Sequence, residues 1–213
     1  MPLLLLVRHA LTDATGRRLV GWAPDVHLSE RGRAQALALV ERLAPVPLAA
    51  VYSSPLDRCL ETAEPVAADR GLPVRVAEDL GEIRFGDWTG RPIGQLARTR
   101  LWGRIQEVPS GVRFPGGESF LEAQDRAARA VAAVAAAHPE RVVAVFSHAD
   151  VIKLLIAHFA GIHIDHFQRL AVSPASVTAI AQGSAAPRVL RVNDTGGLAD
   201  LVPKKPGRRK VGT

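Results

Sequence analysis

The sequence predicts an α/β fold: a three-layer sandwich whose mostly parallel central sheet of about six strands carries helices on both faces. Short apolar runs alternate with helical patterns along the chain, the order that winds a parallel sheet. Several runs are apolar throughout rather than alternating, as strands covered on both faces require. The 213 residues, 47% hydrophobic and 23% charged, suit one domain that buries roughly 70% of its unfolded surface.

The first run, Leu3–Val7, reads as a buried strand. It is far short of the roughly 20 residues of a membrane helix and lacks a signal peptide's basic leader. Ser29, followed by Glu30 and an Ala/Leu-rich run to about Leu43, starts the first helix. Ala49–Ser53 is the second strand. After it, Ser54-Pro55-Leu56-Asp57 predicts an N-cap serine, a first-turn proline and an acid at the third helical position, with Arg58 in the first turn. Val74–Ala77 is the third strand. The stretch 90–117, with Pro92, Pro109 and Pro115, reads as one short helix plus loops. Ser119 and Glu122 form a capping box opening an Ala-rich helix to about His138. Val142–Phe146 is the fourth strand, and a helix runs from about Ala149 to Gly161, a natural stop. Strands at Ser176–Ala181 and Val189–Val192 complete the set. No repeat of solenoid period is present.

The net charge of +6 suggests an anionic partner until it is located. Residues 203–213 hold Lys204, Lys205, Arg208, Arg209 and Lys210 and no acid, so residues 1–202 carry 22 basic against 21 acidic side chains. Residues 1–202 are therefore expected to form the catalytic domain and 203–213 a solvated, disordered basic tail. Nucleic acid is not an expected partner, nor is a membrane. The lone Cys59 excludes an internal disulfide and a cysteine metal cage, and it makes the cytoplasm the expected location.

In sheets of this kind ligands bind beyond the carboxyl ends of the strands. Arg8 and His9 follow the first strand, Ser53 to Arg58 the second, Glu82 the third, and Ser147 and His148 the fourth. Each alone has an ordinary structural explanation; four strand ends carrying them together point to a site. Two guanidiniums beside a histidine suit a dianion, since arginine forks match phosphate oxygens in pairs. A neutral imidazole can attack phosphorus, and a carboxylic acid can protonate a leaving alkoxide. The arginines and the second histidine can stabilise the transferring charge, so neither a metal nor a cofactor is expected.

These residues also carry a family resemblance. Leu6-Val7-Arg8-His9-Ala10-Leu11-Thr12 resembles the Arg-His-Gly-x-Thr signature of the histidine phosphatase superfamily, which includes the cofactor-dependent phosphoglycerate mutases. Leu28-Ser29-Glu30-Arg31-Gly32-Arg33-Ala34-Gln35-Ala36 resembles its first helix start, and Ser53 to Arg58 with Thr62-Ala63 its second phosphate-binding segment. Glu82 to Gly90 is similar to its Glu-x-x-x-Gly-x-Trp-x-Gly block, and Gly116 to Ser119 and Ser147 to Asp150 complete the order. The stretches His148 to Lys153 and Phe167-Gln168-Arg169 resemble an actinobacterial branch grouped with phosphomutases. The resemblance implies His9 as the phosphorylated nucleophile, Glu82 as proton donor, and Arg8, Arg58 and His148 as holders of the phosphoryl group. It extends substrate contact to Thr12, Thr15, Gly21, Trp22 and Ala149. Ala10 replaces the usual glycine, Leu11 stands where mutases carry Glu, and Thr15 where the fuller signature has a phosphate-touching Asn. With the short 90–117 segment, these departures favour a phosphatase over a mutase.

The expected function is hydrolysis of a small phosphorylated metabolite through a phosphohistidine, with orthophosphate as product. A phosphomutase and a non-catalytic phospholigand-binding protein are the rivals, and a homodimer is left open beside a monomer. Trp102 and Phe114 are candidates for substrate contact, and Trp88 for the core. His163, Asp165 and His166 are read as a connecting turn, and Cys59 as a small buried helix residue.

Overall fold

Leu4 and Leu6 bury into one face of the central sheet and Leu5 and Val7 into the other, which is why the first strand is apolar from Leu3 to Val7. The computed structural model describes residues 1–182 and 186–196. The expected basic tail at 203–213 lies outside the described residues. In chain order the elements are β1 (Leu3–Arg8), β2 (Arg18–Leu19), α1 (Glu30–Leu43), β3 (Leu48–Ser53), α2 (Asp57–Asp69), β4 (Val74–Val76), β5 (Arg91–Pro92), α3 (Ile93–Leu96), α4 (Arg100–Glu107), α5 (Phe120–Ala137), β6 (Val142–Ser147), α6 (Ala149–Ala160), β7 (Val177–Ala181) and β8 (Arg188–Asp194).

The six-stranded sheet has the order β4-β3-β6-β1-β7-β8. Its first four strands are parallel; β7 alone runs the other way, pairing antiparallel with β1 on one side and with β8 on the other. Residues of α5 and α6 pack on one face with Leu4, Leu6, Val143 and Val145. Residues of α1 and α2 pack on the other with Leu5, Val7, Ala144 and Phe146. The three layers are those expected. Among the described residues, no helix is long and apolar enough to cross a membrane.

Register delivers the site. β1 and β6 pair in parallel from Leu3 with Val142 to Arg8 with Ser147, so His9 and His148 leave the sheet side by side. The Ser29 cap accepts from Gly32 N as expected, and the Ser119–Glu122 capping box is complete. At Gly32 a Cβ would lie 1.9 Å from Leu11 O, so only glycine lets α1 pack against the loop after His9.

Three details differ from the sequence reading. α2 begins at Asp57 behind Leu56, which makes no side-chain cap, and Ser54 and Pro55 stay outside it. The reason is a stronger claim on the Ser54 hydroxyl, which faces His148. The 90–117 segment holds two short helices, α3 and α4, rather than one. It also supplies β5, which pairs with β2 in a small ribbon that the pattern of apolar residues does not signal.

Candidate active site

Beyond the carboxyl edge of β1, β3 and β6 lies a cavity of about 140 Å³. Arg8, His9, Thr12, Arg58, Glu82 and Ala149 line it, together with Thr15, Gly21 and Asp150. The β2–β5 ribbon adds Arg18 and Leu19 to the wall, with Ile93 next to it.

His9 is 6% exposed and donates from Nδ1 to Ala10 O at 2.8 Å, since a carbonyl can only accept. That bond leaves Nε2 as the unprotonated, nucleophilic nitrogen. Burial, then the charges of Arg58 and Arg8, hold the imidazole well below its ordinary pKa, so it stays neutral. The ring of His148 lies 5.3 Å from that of His9, centroid to centroid. His148 too is held well below its ordinary pKa, first by burial and then by Arg58.

Arg58 is 1% exposed, unusual for a guanidinium. Its Nη2 donates to Gly21 O at 2.8 Å and to His148 Nδ1 at 3.2 Å. Among the described residues its Nε and Nη1 are buried without a hydrogen-bond partner, and so is Nε of Arg8. Among the described residues the Arg8 side chain is anchored by one bond, Nη1 to Val172 O at 2.7 Å. Unsatisfied buried cationic donors are costly, and both arginines line the cavity, where a bound anion would offset that cost. Ala149 opens α6 beside them, so the free amides and positive end of that helix face the same cavity.

Glu82 reaches the cavity from the loop after β4. Its pKa is pushed up to about 7, first by burial and then by the negative charge of Asp150. Oε1 accepts from Ile83 N at 3.0 Å, while Oε2 lies 3.9 Å from His148 Nδ1.

Other expected contacts sit differently. Thr15 turns its hydroxyl back to accept from Thr12 N at 3.1 Å and to bond Thr12 Oγ1 at 3.0 Å, tying the loop beneath the cavity. Gly21 contributes its carbonyl to Arg58. Trp22 is not among the lining residues: its Nε1 donates to Glu82 O, and Arg84 covers its ring at 4.1 Å. A Cβ at Gly81 would fall 2.3 Å from that indole, so glycine is required there. Trp102 and Phe114 do not reach the cavity either. Phe114 is buried against Phe85, Trp88 and Phe120, and Trp102 stacks on Trp88. Asp165 accepts from Ser110 N at 2.8 Å and pairs with His163, a loop closure. Cys59 is buried, and its thiol is pushed up to about 12 by burial.

Sequence reasoning passed over Arg126. It is nearly buried on α5, forks onto Glu118 (Nη2 to Oε1 2.6 Å, Nε to Oε2 3.0 Å) and donates to the carbonyls of Asp79, Gly81 and Glu82. It therefore fixes the turn that presents Glu82. The available signal was an arginine on the stripe of Ala123, Ala127 and Val131. Arg126→Ala should lower stability by roughly 3–5 kcal/mol, because it leaves the shielded Glu118 carboxylate without its counter-charge and the carbonyls of Asp79 and Gly81 without the guanidinium. Urea denaturation measures this, and a loss below about 1 kcal/mol would show that solvent replaces the guanidinium.

Comparison with known proteins gives the site a context. The sequence pattern described as the histidine phosphatase superfamily (branch 1) matches residues 4–195. Phosphoserine phosphatase 1 of Hydrogenobacter thermophilus is 30% identical over 208 residues, spanning 94% of this chain and 96% of that protein. Glucosyl-3-phosphoglycerate phosphatase of Mycobacterium tuberculosis is 35% identical over 139 residues, 64% of this chain and 62% of that one. Among solved structures, Bacillus stearothermophilus YhfR superposes with a TM-score of 0.85 at 33% identity, over 91% of this chain and 98% of its own. Native mycobacterial glucosyl-3-phosphoglycerate phosphatase gives 0.83 at 28%, over 91% and 99%.

Proposed function

From the chain's membership in the histidine phosphatase superfamily (branch 1), whose phosphatases hydrolyse phosphate monoesters, we propose how its own residues carry that reaction. The observation that carries the proposal is the free Nε2 of His9 beside two arginines with unsatisfied buried donors.

The phosphoryl group of a monoester binds between Arg8 and Arg58, with the Ala149 end of α6 opposite. His9 Nε2 attacks phosphorus, forming a P–N bond as the bond to the ester oxygen breaks. Glu82, protonated below about pH 7, gives its proton to the leaving alkoxide. Now a carboxylate, Glu82 takes a proton from the water that attacks the phosphohistidine. Cleavage of the P–N bond releases orthophosphate and restores both groups. Arginines and helix amides, already in place, stabilise the charge on the equatorial oxygens.

The small cavity favours a compact monoester whose leaving group extends past the β2–β5 ribbon. The related enzymes are named for phosphoserine and glucosyl-3-phosphoglycerate, and esters of these kinds head the panel to be tried. A cytoplasmic location is part of the proposal, since a reducing compartment suits the buried free thiol of Cys59.

The test is orthophosphate release from a panel of phosphate monoesters with EDTA present, run beside a phosphoglycerate mutase assay. Steady release that EDTA leaves unchanged is expected. Loss of turnover with chelator, or phosphoryl transfer to a second hydroxyl faster than to water, would overturn the reading.

A further inference from the structure

Both nitrogens of the fully buried His148 are occupied, and the pattern leaves one assignment of its proton. Arg58 is always protonated and its Nη2, 3.2 Å from Nδ1, can only donate, so Nδ1 must accept. A neutral ring then carries its hydrogen on Nε2, which lies 2.8 Å from Ser54 Oγ. Ser54 is therefore the acceptor. The alternative tautomer would set an Nδ1–H against the Arg58 N–H and leave Nε2 without a proton.

We infer that Ser54 is a positioning residue: by accepting from His148 Nε2–H it holds the ring with its unprotonated Nδ1 turned to Arg58, so that the imidazole seats the Arg58 guanidinium beside the phosphoryl group. The inference rests on the reaction assigned above. Ser54 has no exposed surface, and its main-chain N–H is tied to Phe146 O at 2.9 Å, so the hydroxyl is carried on fixed backbone. The same oxygen accepts from Leu56 N at 3.3 Å, which orients its lone pairs. Nδ1 takes the Arg58 Nη2 hydrogen bond and lies 3.9 Å from Glu82 Oε2, and both Arg58 and Glu82 line the cavity. Nε2 also lies 3.4 Å from the Cys59 sulfur, a weak acceptor whose S–H is directed to Ser147 O and which competes poorly with a hydroxyl. This role also accounts for the missing cap on α2, since the serine next to that helix serves the histidine instead.

The experiment combines nitrogen NMR of histidine-labelled protein with steady-state kinetics on a phosphate monoester. His148→Gln identifies the signal. The parent should show His148 protonated on Nε2 alone. Ser54→Ala should keep that tautomer, which Arg58 still imposes, but shift the Nε2 signal as its N–H loses the hydroxyl, and lower kcat roughly tenfold, the weight of one buried hydrogen bond, with a much smaller change in KM. Ser54→Thr, which keeps the hydroxyl, should restore both the Nε2 signal and most of kcat. An Nδ1–H signal in the parent would overturn the inference. So would a Ser54→Ala protein that keeps kcat, or one that loses kcat while its Nε2 signal stays as in the parent. The spectra need no turnover, so failure of the assigned reaction would show separately, as a parent inactive on every monoester.

Discussion

Replacing His9 with Ala should cut turnover of any phosphate monoester by on the order of 10⁴-fold or more, the scale of losing a nucleophile outright. His9 is buried, but among the described residues its ring makes a single hydrogen bond, to its neighbour Ala10, so the fold should survive its removal. The unsatisfied donors of Arg8 and Arg58 remain in the variant, which should still bind orthophosphate and vanadate. A rapid quench during turnover of labelled substrate should trap phosphate on His9 in the parent and none in the variant. Phosphohistidine is acid-labile and base-stable, and this separates it from a phosphoserine on Ser54 or an acyl phosphate on Glu82. A variant within tenfold of the parent, or label recovered on another residue, would remove His9 from the reaction.

The second large effect belongs to Glu82. Glu82→Gln keeps the shape and the acceptor for Ile83 N but has no proton to give. Loss should be about 10²–10⁴-fold on alkyl phosphates, the usual worth of a positioned acid, and much smaller on p-nitrophenyl phosphate, whose leaving group departs as a stable anion. The pH profile supplies an independent check. Burial and Asp150 raise the carboxyl to about 7, and the acid form is the active one. In the parent, kcat on alkyl phosphates should therefore hold at mildly acidic pH and fall as pH rises through about 7. In the variant that alkaline limb should flatten. Equal losses on both kinds of substrate would take Glu82 out of the acid role, leaving Asp150, which also faces the cavity, as the group to examine.

The inward-facing groups were legible because strand ends are legible. Apolar runs such as Leu3–Val7 announce buried strands, and parallel strands bring the residues after them to one edge of the sheet. Arg8, His9, Arg58, Glu82 and His148 could be gathered on that basis alone, and all but His148 line the cavity directly. The supporting residues were not legible. Ser54 carries every local mark of an N-cap, yet its hydroxyl serves a histidine 94 positions away. Trp22, Trp102 and Phe114 looked like pocket aromatics, but one braces the Glu82 carbonyl and the others close the core.

Short stretches of sequence were enough to specify the layers, the parallel strands and the identity of the groups that face a phosphate, because burial period and strand polarity are local properties. Protonation and orientation of those groups came from tertiary contacts instead. The depressed basicity of His9, the raised pKa of Glu82, the tautomer of His148 and the turn held by Arg126 all depend on what distant segments bring within a few ångströms. Desolvation and hydrogen bonding act through space, and no local pattern records which buried partner a side chain will meet.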